Sequence, residues 1–242
     1  MGRVARMLLA LAGLPLLWAL GGAFLEGLAA GALNGPVLTA GRVGFVLGAA
    51  AMLALYCWKR QALMVAYVFA HEMTHALVGL CCLARVRRVS VQETGGFVEL
   101  SKSNWVIALA PYCVPLYLLA AVLVCWLTEW LWPGAVPRSV WGALFGFLAL
   151  FHVLYTVDAL VTVAQPDIHA YGWLFSYWLI LAVNLLAASL ALTVSRQVGA
   201  AAQGVCLLRW TARTYAAVAR GTFTGARQIL ATFRRPQDEP RR

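Results

Sequence analysis

The chain alternates between long apolar stretches and short polar breaks. The stretches are Met7–Leu25, Val43–Trp58, Ala62–Leu83, Trp105–Leu127, Val140–Ala164 and Trp173–Val194. Each is near the roughly 20 residues that an α-helix needs to cross ~30 Å of hydrocarbon. The pattern therefore predicts an all-α polytopic membrane protein with about six transmembrane helices. Met7–Leu25, preceded by Arg3 and Arg6 and followed by small residues at Ala29 and Ala30, also has the outline of a cleavable leader; a retained helix is the expectation. Between the third and fourth stretches the period changes. Val86, Val89 and Val91, then Phe97, Val98 and Leu100, flank Thr94-Gly95-Gly96. Alternation around a glycine turn predicts a short β-hairpin.

Composition narrows the class further. The chain is 62% hydrophobic and 12% charged, which excludes an ordinary soluble domain. Its six cysteines lie in or beside apolar segments without C-x-x-C spacing, so they read as small core hydrophobes. The net charge of +10 comes largely from Arg196, Arg209, Arg213, Arg220, Arg227, Arg234, Arg235, Arg241 and Arg242. Leu207, Leu208, Trp210, Tyr215, Phe223, Ile229, Leu230 and Phe233 are interleaved with them. We expect a transmembrane domain over 1–195 and a basic, amphipathic, interfacial tail over 196–242, drawn to anionic lipid. No nucleic-acid recognition motif accompanies the charge. The expected partners are the lipid bilayer and a membrane-protein substrate, and nothing sets an oligomeric state.

The third stretch carries the chemistry. Residues 71 to 75 read His-Glu-Met-Thr-His. Positions four apart share one helix face, so His71 and His75 can present two imidazoles to one metal ion. Glu72 can then reach a metal-bound water. H-E-x-x-H is the zinc metalloprotease pattern, with two histidine ligands and Glu72 as general base. Ionisable groups cost several kcal/mol in hydrocarbon, so such a cluster marks a functional site; the alternative is a polar helix-packing cluster. An extended substrate could be held by pairing with an exposed strand edge of the hairpin. That makes Gly95, Gly96 and Phe97 candidate substrate contacts, unless the hairpin is only a connector. Asn104 and Asn184 are available as oxyanion donors or for helix packing.

His71-Glu72-Met73-Thr74-His75 in a membrane helix, then a basic connector, a Gly-Gly hairpin and a span interrupted by Pro111 and Pro115, resembles the site-2 protease family of intramembrane zinc metalloproteases. The resemblance covers about residues 60 to 180. It implies a zinc-dependent metalloendopeptidase that hydrolyses a peptide bond in or near a substrate's transmembrane segment, with zinc held by two His and a later Asp. The family's Asn-x-x-Pro-x-x-x-Leu-Asp-Gly string does not occur here. We expect a multi-pass protein of a bacterial cytoplasmic membrane. The other reading is a non-proteolytic, membrane-embedded metal-binding or assembly protein.

A hydrolytic zinc takes three protein ligands and keeps one open position. Candidates for the third are Asp158, Asp167 and His152. At about 1.5 Å per residue, His75 lies ~15 Å and His71 ~21 Å from Arg85. On the same scale Asp158 lies ~13 Å and His152 ~22 Å from Asp167, if the Gln165–Tyr171 connector sits at the surface beside the hairpin. The depth match and the need of a membrane carboxylate for a cation favour Asp158. Asp167 would then sit near the surface as a favourable charge in a first helical turn after Pro166. Orientation is in conflict. Six spans put the hairpin opposite the basic termini, hence outside, whereas the family resemblance and Arg85, Arg87 and Arg88 put it in the cytosol. One miscounted span, among the first two, reconciles them.

Overall fold

The computed structural model describes residues 2–33, 39–92, 95–194 and 199–233. In order these form α1 (Arg3–Leu33), α2 (Ala40–Lys59), a 3-10 turn (Arg60–Leu63), α3 (Met64–Cys81), β1 (Val86–Gln92), β2 (Gly95–Leu100), α4 (Trp105–Leu109), a 3-10 turn (Ala110–Tyr112), α5 (Leu116–Leu131), α6 (Arg138–Thr162), α7 (Pro166–Tyr171), α8 (Trp173–Val194) and α9 (Ala200–Phe233). Thr94 of the expected turn, Arg196, Arg234, Arg235, Arg241, Arg242 and the boundary at 195/196 lie outside the described residues.

Four helices among the described residues are long and apolar enough to cross a bilayer, or five if Trp105–Tyr112 and Leu116–Leu131 are one span bent by 75°. Six spans were expected. The difference lies in α2 and α3. Lys59-Arg60-Gln61 reads as a loop by hydropathy but contains no glycine or proline to reverse the chain. The backbone instead tightens through one 3-10 turn and continues, so Ala40–Cys81 is a single helical run of 42 residues. Its polar break has partners. Both Arg60 Nε and Nη2 donate to Asp158 at 2.8 Å, and the Tyr155 hydroxyl donates to the Arg60 carbonyl at 2.6 Å. The bend between α4 and α5 falls at Pro111 and Pro115, as a missing N–H and a ring clash require. Leu119, Val122, Leu123, Trp126 and Trp130 of α5 are exposed, a face compatible with lipid.

By its contacts the chain divides into two units, 1–7 with 36–180, and 8–35 with 181–242. In the first unit α2 and α6 lie side by side and parallel. Gly44 and Gly48 abut the carbonyls of Ser139 and Ala143, while Gly142 and Gly146 abut those of Gly41 and Phe45. Both helices thus carry G-x-x-x-G, the spacing that lets membrane helices approach to backbone contact. Backbone carbonyls cannot yield as a side-chain end can, so Gly48→Val should cost about 1–3 kcal/mol or more. Thermal unfolding in detergent checks this, and an unchanged midpoint would mean that the helices do not depend on the contact. Below the glycines the same interface is filled by Met52, Tyr67, Phe151 and Tyr155.

The hairpin folds back along α3. Leu83, at φ +60°, turns the chain, and the Ala84 N–H closes onto the Gly79 carbonyl at 2.8 Å. The antiparallel register pairs Val89 with Val98, Ser90 with Phe97 and Val91 with Gly96. Gly95 and Gly96 therefore belong to strand β2 and not to the turn. Leu100 packs on Gly79, and Gly96 sits over Val68 and Glu72, so β2 runs along α3 in the same direction.

In the second unit α9 runs antiparallel along α1. Gln203 Nε2 donates to the Ala23 carbonyl at 3.2 Å, Trp210 Nε1 to Glu26 at 2.7 Å and the Tyr215 hydroxyl to the Ala12 carbonyl at 3.1 Å. Arg209 pairs with Glu26, and the Trp210 ring covers Gly22. The first half of α9 is thus anchored on a neighbour, and Arg213, Arg220 and Arg227 are exposed.

Candidate metal centre

His71 and His75 project from one face of α3 with ring centroids 4.9 Å apart, each side chain only 12% exposed. The carboxylate that meets them is Asp167. Its Oδ2 lies 3.3 Å from His75 Nε2 and 4.0 Å from His71 Nε2. His71, His75 and Asp167 each offer one ligand atom, and these atoms lie within 4.8 Å of one another. Among the described residues this is the group that could hold a metal ion. The donor set is chemically apt. Zinc bonds of ~2.0–2.1 Å in tetrahedral array place ligand atoms roughly 3.3 Å apart, and two imidazoles with one carboxylate leave a fourth position open.

Asp158, expected from the sequence as the third ligand, does not meet the histidines. Asp158 is engaged by Arg60, and His152 is outside the cluster. α6 stops at Thr162, and Gln165 redirects the chain, its Nε2 donating to the Ala159 carbonyl at 3.1 Å, so that a mostly exposed connector still brings Asp167 beside the histidines. Pro166, with its fixed φ and no N–H to satisfy, opens the short helix α7. The Tyr112 hydroxyl holds Gln165 Oε1 at 3.1 Å, Ile168 is buried, and Ser176 Oγ donates to the Ile168 carbonyl at 3.4 Å. Gly172, at φ +91°, ends α7 in a conformation that side chains rarely adopt. The cation that Asp158 needed was Arg60, which had been read as part of a loop.

Several supports had no signal in the sequence. His75 Nδ1 lies 2.9 Å from the Ile107 carbonyl. An N–H donated there leaves Nε2 unprotonated and aimed at the Asp167 carboxylate, as a metal ligand requires. Ile107 is itself placed by Asn104, which caps α4 by accepting from the Ile107 N–H at 3.0 Å. That is a capping role for a residue considered as an oxyanion donor. Tyr112, fully buried, sets its ring edge-on to His71 at 5.1 Å.

Glu72, beside His71 on α3, is buried. A Cβ at Gly96 would stand 2.7 Å from Glu72 Cγ, 2.8 Å from the Ser90 carbonyl and 3.0 Å from Val68. Only a glycine lets the strand pass this close. Gly95 neighbours that contact, while Phe97 is 47% exposed beneath the Arg88 guanidinium, 5.5 Å from its ring centroid. No family model matches this chain, and neither a curated protein nor a solved structure matches it.

Proposed function

We propose that this chain is an intramembrane zinc metalloprotease, similar to the site-2 protease family, that hydrolyses a peptide bond in or near a substrate's transmembrane segment. The observation that carries the reading is the convergence of His71, His75 and Asp167, with Glu72 on the adjoining position of the same helix. A packing cluster would need neither three donor atoms within 4.8 Å of one another nor a second carboxylate alongside them. Asp167, in Gln165-Pro166-Asp167, takes the place of the family's Asp.

Zinc, when bound, supplies a Lewis acid that makes a water nucleophilic near neutral pH and polarises the scissile carbonyl. The protein's residues do the rest. Glu72 takes the proton of the attacking water and returns it to the leaving amine. His75, fixed through Nδ1 by Ile107, and Asp167, fixed through α7, hold the metal at one place against that base. Strand β2 offers its free edge to an extended substrate, which requires local unwinding of the target helix. Gly96 brings that edge next to Glu72. The exposed Arg220 and Arg227, beyond the stretch of α9 that lies along α1, suit anionic lipid headgroups at the membrane surface.

Metal content tests the reading. Detergent-purified protein should hold close to one zinc per chain, and His71→Ala should lose it. Equal zinc in wild type and variant would remove the metal site, and the protease with it. Stoichiometric zinc without turnover would favour a metal-binding or assembly protein.

A further inference from the structure

The three donors stand on two elements far apart in the chain, His71 and His75 on α3 and Asp167 on α7. A helix of six residues has too few internal hydrogen bonds to hold its own place. The distance between Asp167 and the histidines is therefore set by what ties α7 to its surroundings. Gln165 Nε2 on the Ala159 carbonyl and Ser176 Oγ on the Ile168 carbonyl join the connector to α6 and α8, its neighbours in sequence. Neither bond reaches α3.

The segment from Asn104 to Tyr112 does. Near its start the Ile107 carbonyl meets His75 Nδ1 at 2.9 Å. At its end Tyr112 touches both sides of the site. The ring stands edge-on to His71, with centroids 5.1 Å apart at 78°, and the hydroxyl donates to Gln165 Oε1 at 3.1 Å, two residues before Asp167. Tyr112 is fully buried. Filling space beside His71 needs the ring alone. A buried hydroxyl costs stability unless it is hydrogen-bonded, and the partner here is the residue at which α7 begins. Pro111, in the 3-10 turn Ala110–Tyr112, stiffens the backbone that aims the side chain.

We infer that Tyr112 is a positioning residue for the metal centre, setting the distance between the His71 imidazole and the Asp167 carboxylate. Its ring bears on one ligand, and its hydroxyl, through Gln165, places the other. Ile107 orients a single ligand, whereas Tyr112 joins two. This rests on the metal reading above.

The test is a double-mutant cycle on the full detergent-purified chain, read by zinc affinity in competition with a chromogenic chelator and by the visible spectrum of the cobalt-substituted protein. Tyr112→Phe keeps the ring on His71 and removes the bond to Gln165. Zinc should bind about 10–100-fold more weakly, with an altered cobalt spectrum. Gln165→Met removes the acceptor and should weaken zinc in the same range. The double variant should match the weaker single variant within about twofold, because both changes cut one bond. Tyr117→Phe removes a hydroxyl that donates to the Ala66 carbonyl of α3 at 2.9 Å, and it should stay within about twofold of wild type. Unchanged affinity and spectrum in Tyr112→Phe, with zinc bound normally by wild type, overturns the inference and leaves the metal site standing. Losses that multiply in the double variant overturn it too, since Tyr112 would then act by a route other than Gln165. An equal loss in Tyr117→Phe does the same, as the mark of a general loosening. A wild type that takes up no zinc removes the metal reading and this inference with it. If Tyr112→Phe does not fold, Gln165→Met decides: zinc bound about tenfold more weakly with an altered cobalt spectrum upholds the tie, and wild-type values refute it.

Discussion

Glu72→Gln should lower turnover of a co-reconstituted transmembrane substrate by about 10²–10⁴-fold while the protein keeps its zinc. The amide matches the carboxylate in shape, so the Gly96 contact survives, but it cannot take a proton from water. Glu72 is not one of the three clustered donors, and metal content should therefore be indifferent to the change. Cleavage rate and elemental analysis on one preparation give both readouts. Undiminished cleavage would reject Glu72 as the base. Zinc lost along with activity would mean that the carboxylate serves the metal.

The second large effect separates the two aspartates. Asp167→Ala should strip the site or leave the metal labile, since on the proposed reading it removes one of three protein ligands. Asp158→Ala should retain zinc and lose stability, because Arg60 keeps its charge without its carboxylate. Arg60 is 43% exposed, so water offsets part of that loss. About 1–3 kcal/mol is expected, against the far larger figure for a fully buried pair. Zinc content and thermal midpoint of both variants decide. Zinc lost from Asp158→Ala and kept in Asp167→Ala would reverse the ligand assignment.

Apolar stretches, the hairpin and the i, i+4 histidines were legible from residue type and period alone, because each is a local pattern. What escaped was long-range. Asp158 and Arg60 are 98 positions apart, and pairing them required knowing that α2 and α6 lie parallel. The glycines that bring these helices together were readable in principle, since Gly44 and Gly48 on one helix answer Gly142 and Gly146 on the other. Asp167 was misplaced because connectors are normally at the surface. The connector is mostly exposed, but Gln165, held by Tyr112 and by the Ala159 carbonyl, sets α7 so that Asp167 faces the histidines. The carbonyl of Ile107 was beyond reach of any side-chain pattern, as backbone acceptors leave no trace in residue type.

The unbroken run from Ala40 to Cys81 has a consequence for parity. Sidedness in a polytopic chain is set by an odd or even number of crossings, so counting α2 and α3 once instead of twice transfers everything downstream to the opposite leaflet. With α1 as one crossing and Ala40–Cys81 as the return, Arg85, Arg87 and Arg88 come to the face that holds Arg3 and Arg6. The parallel packing of α2 and α6 agrees, since two parallel helices must cross in the same direction. Asp167, just past the end of α6, then approaches the histidines from the side that carries Arg85, Arg87 and Arg88. In a variant without the native cysteines, a membrane-impermeant, cysteine-reactive label should accordingly reach Lys102→Cys and Arg3→Cys from the same side of the membrane, and labelling from opposite sides would mean that α2 and α3 cross separately.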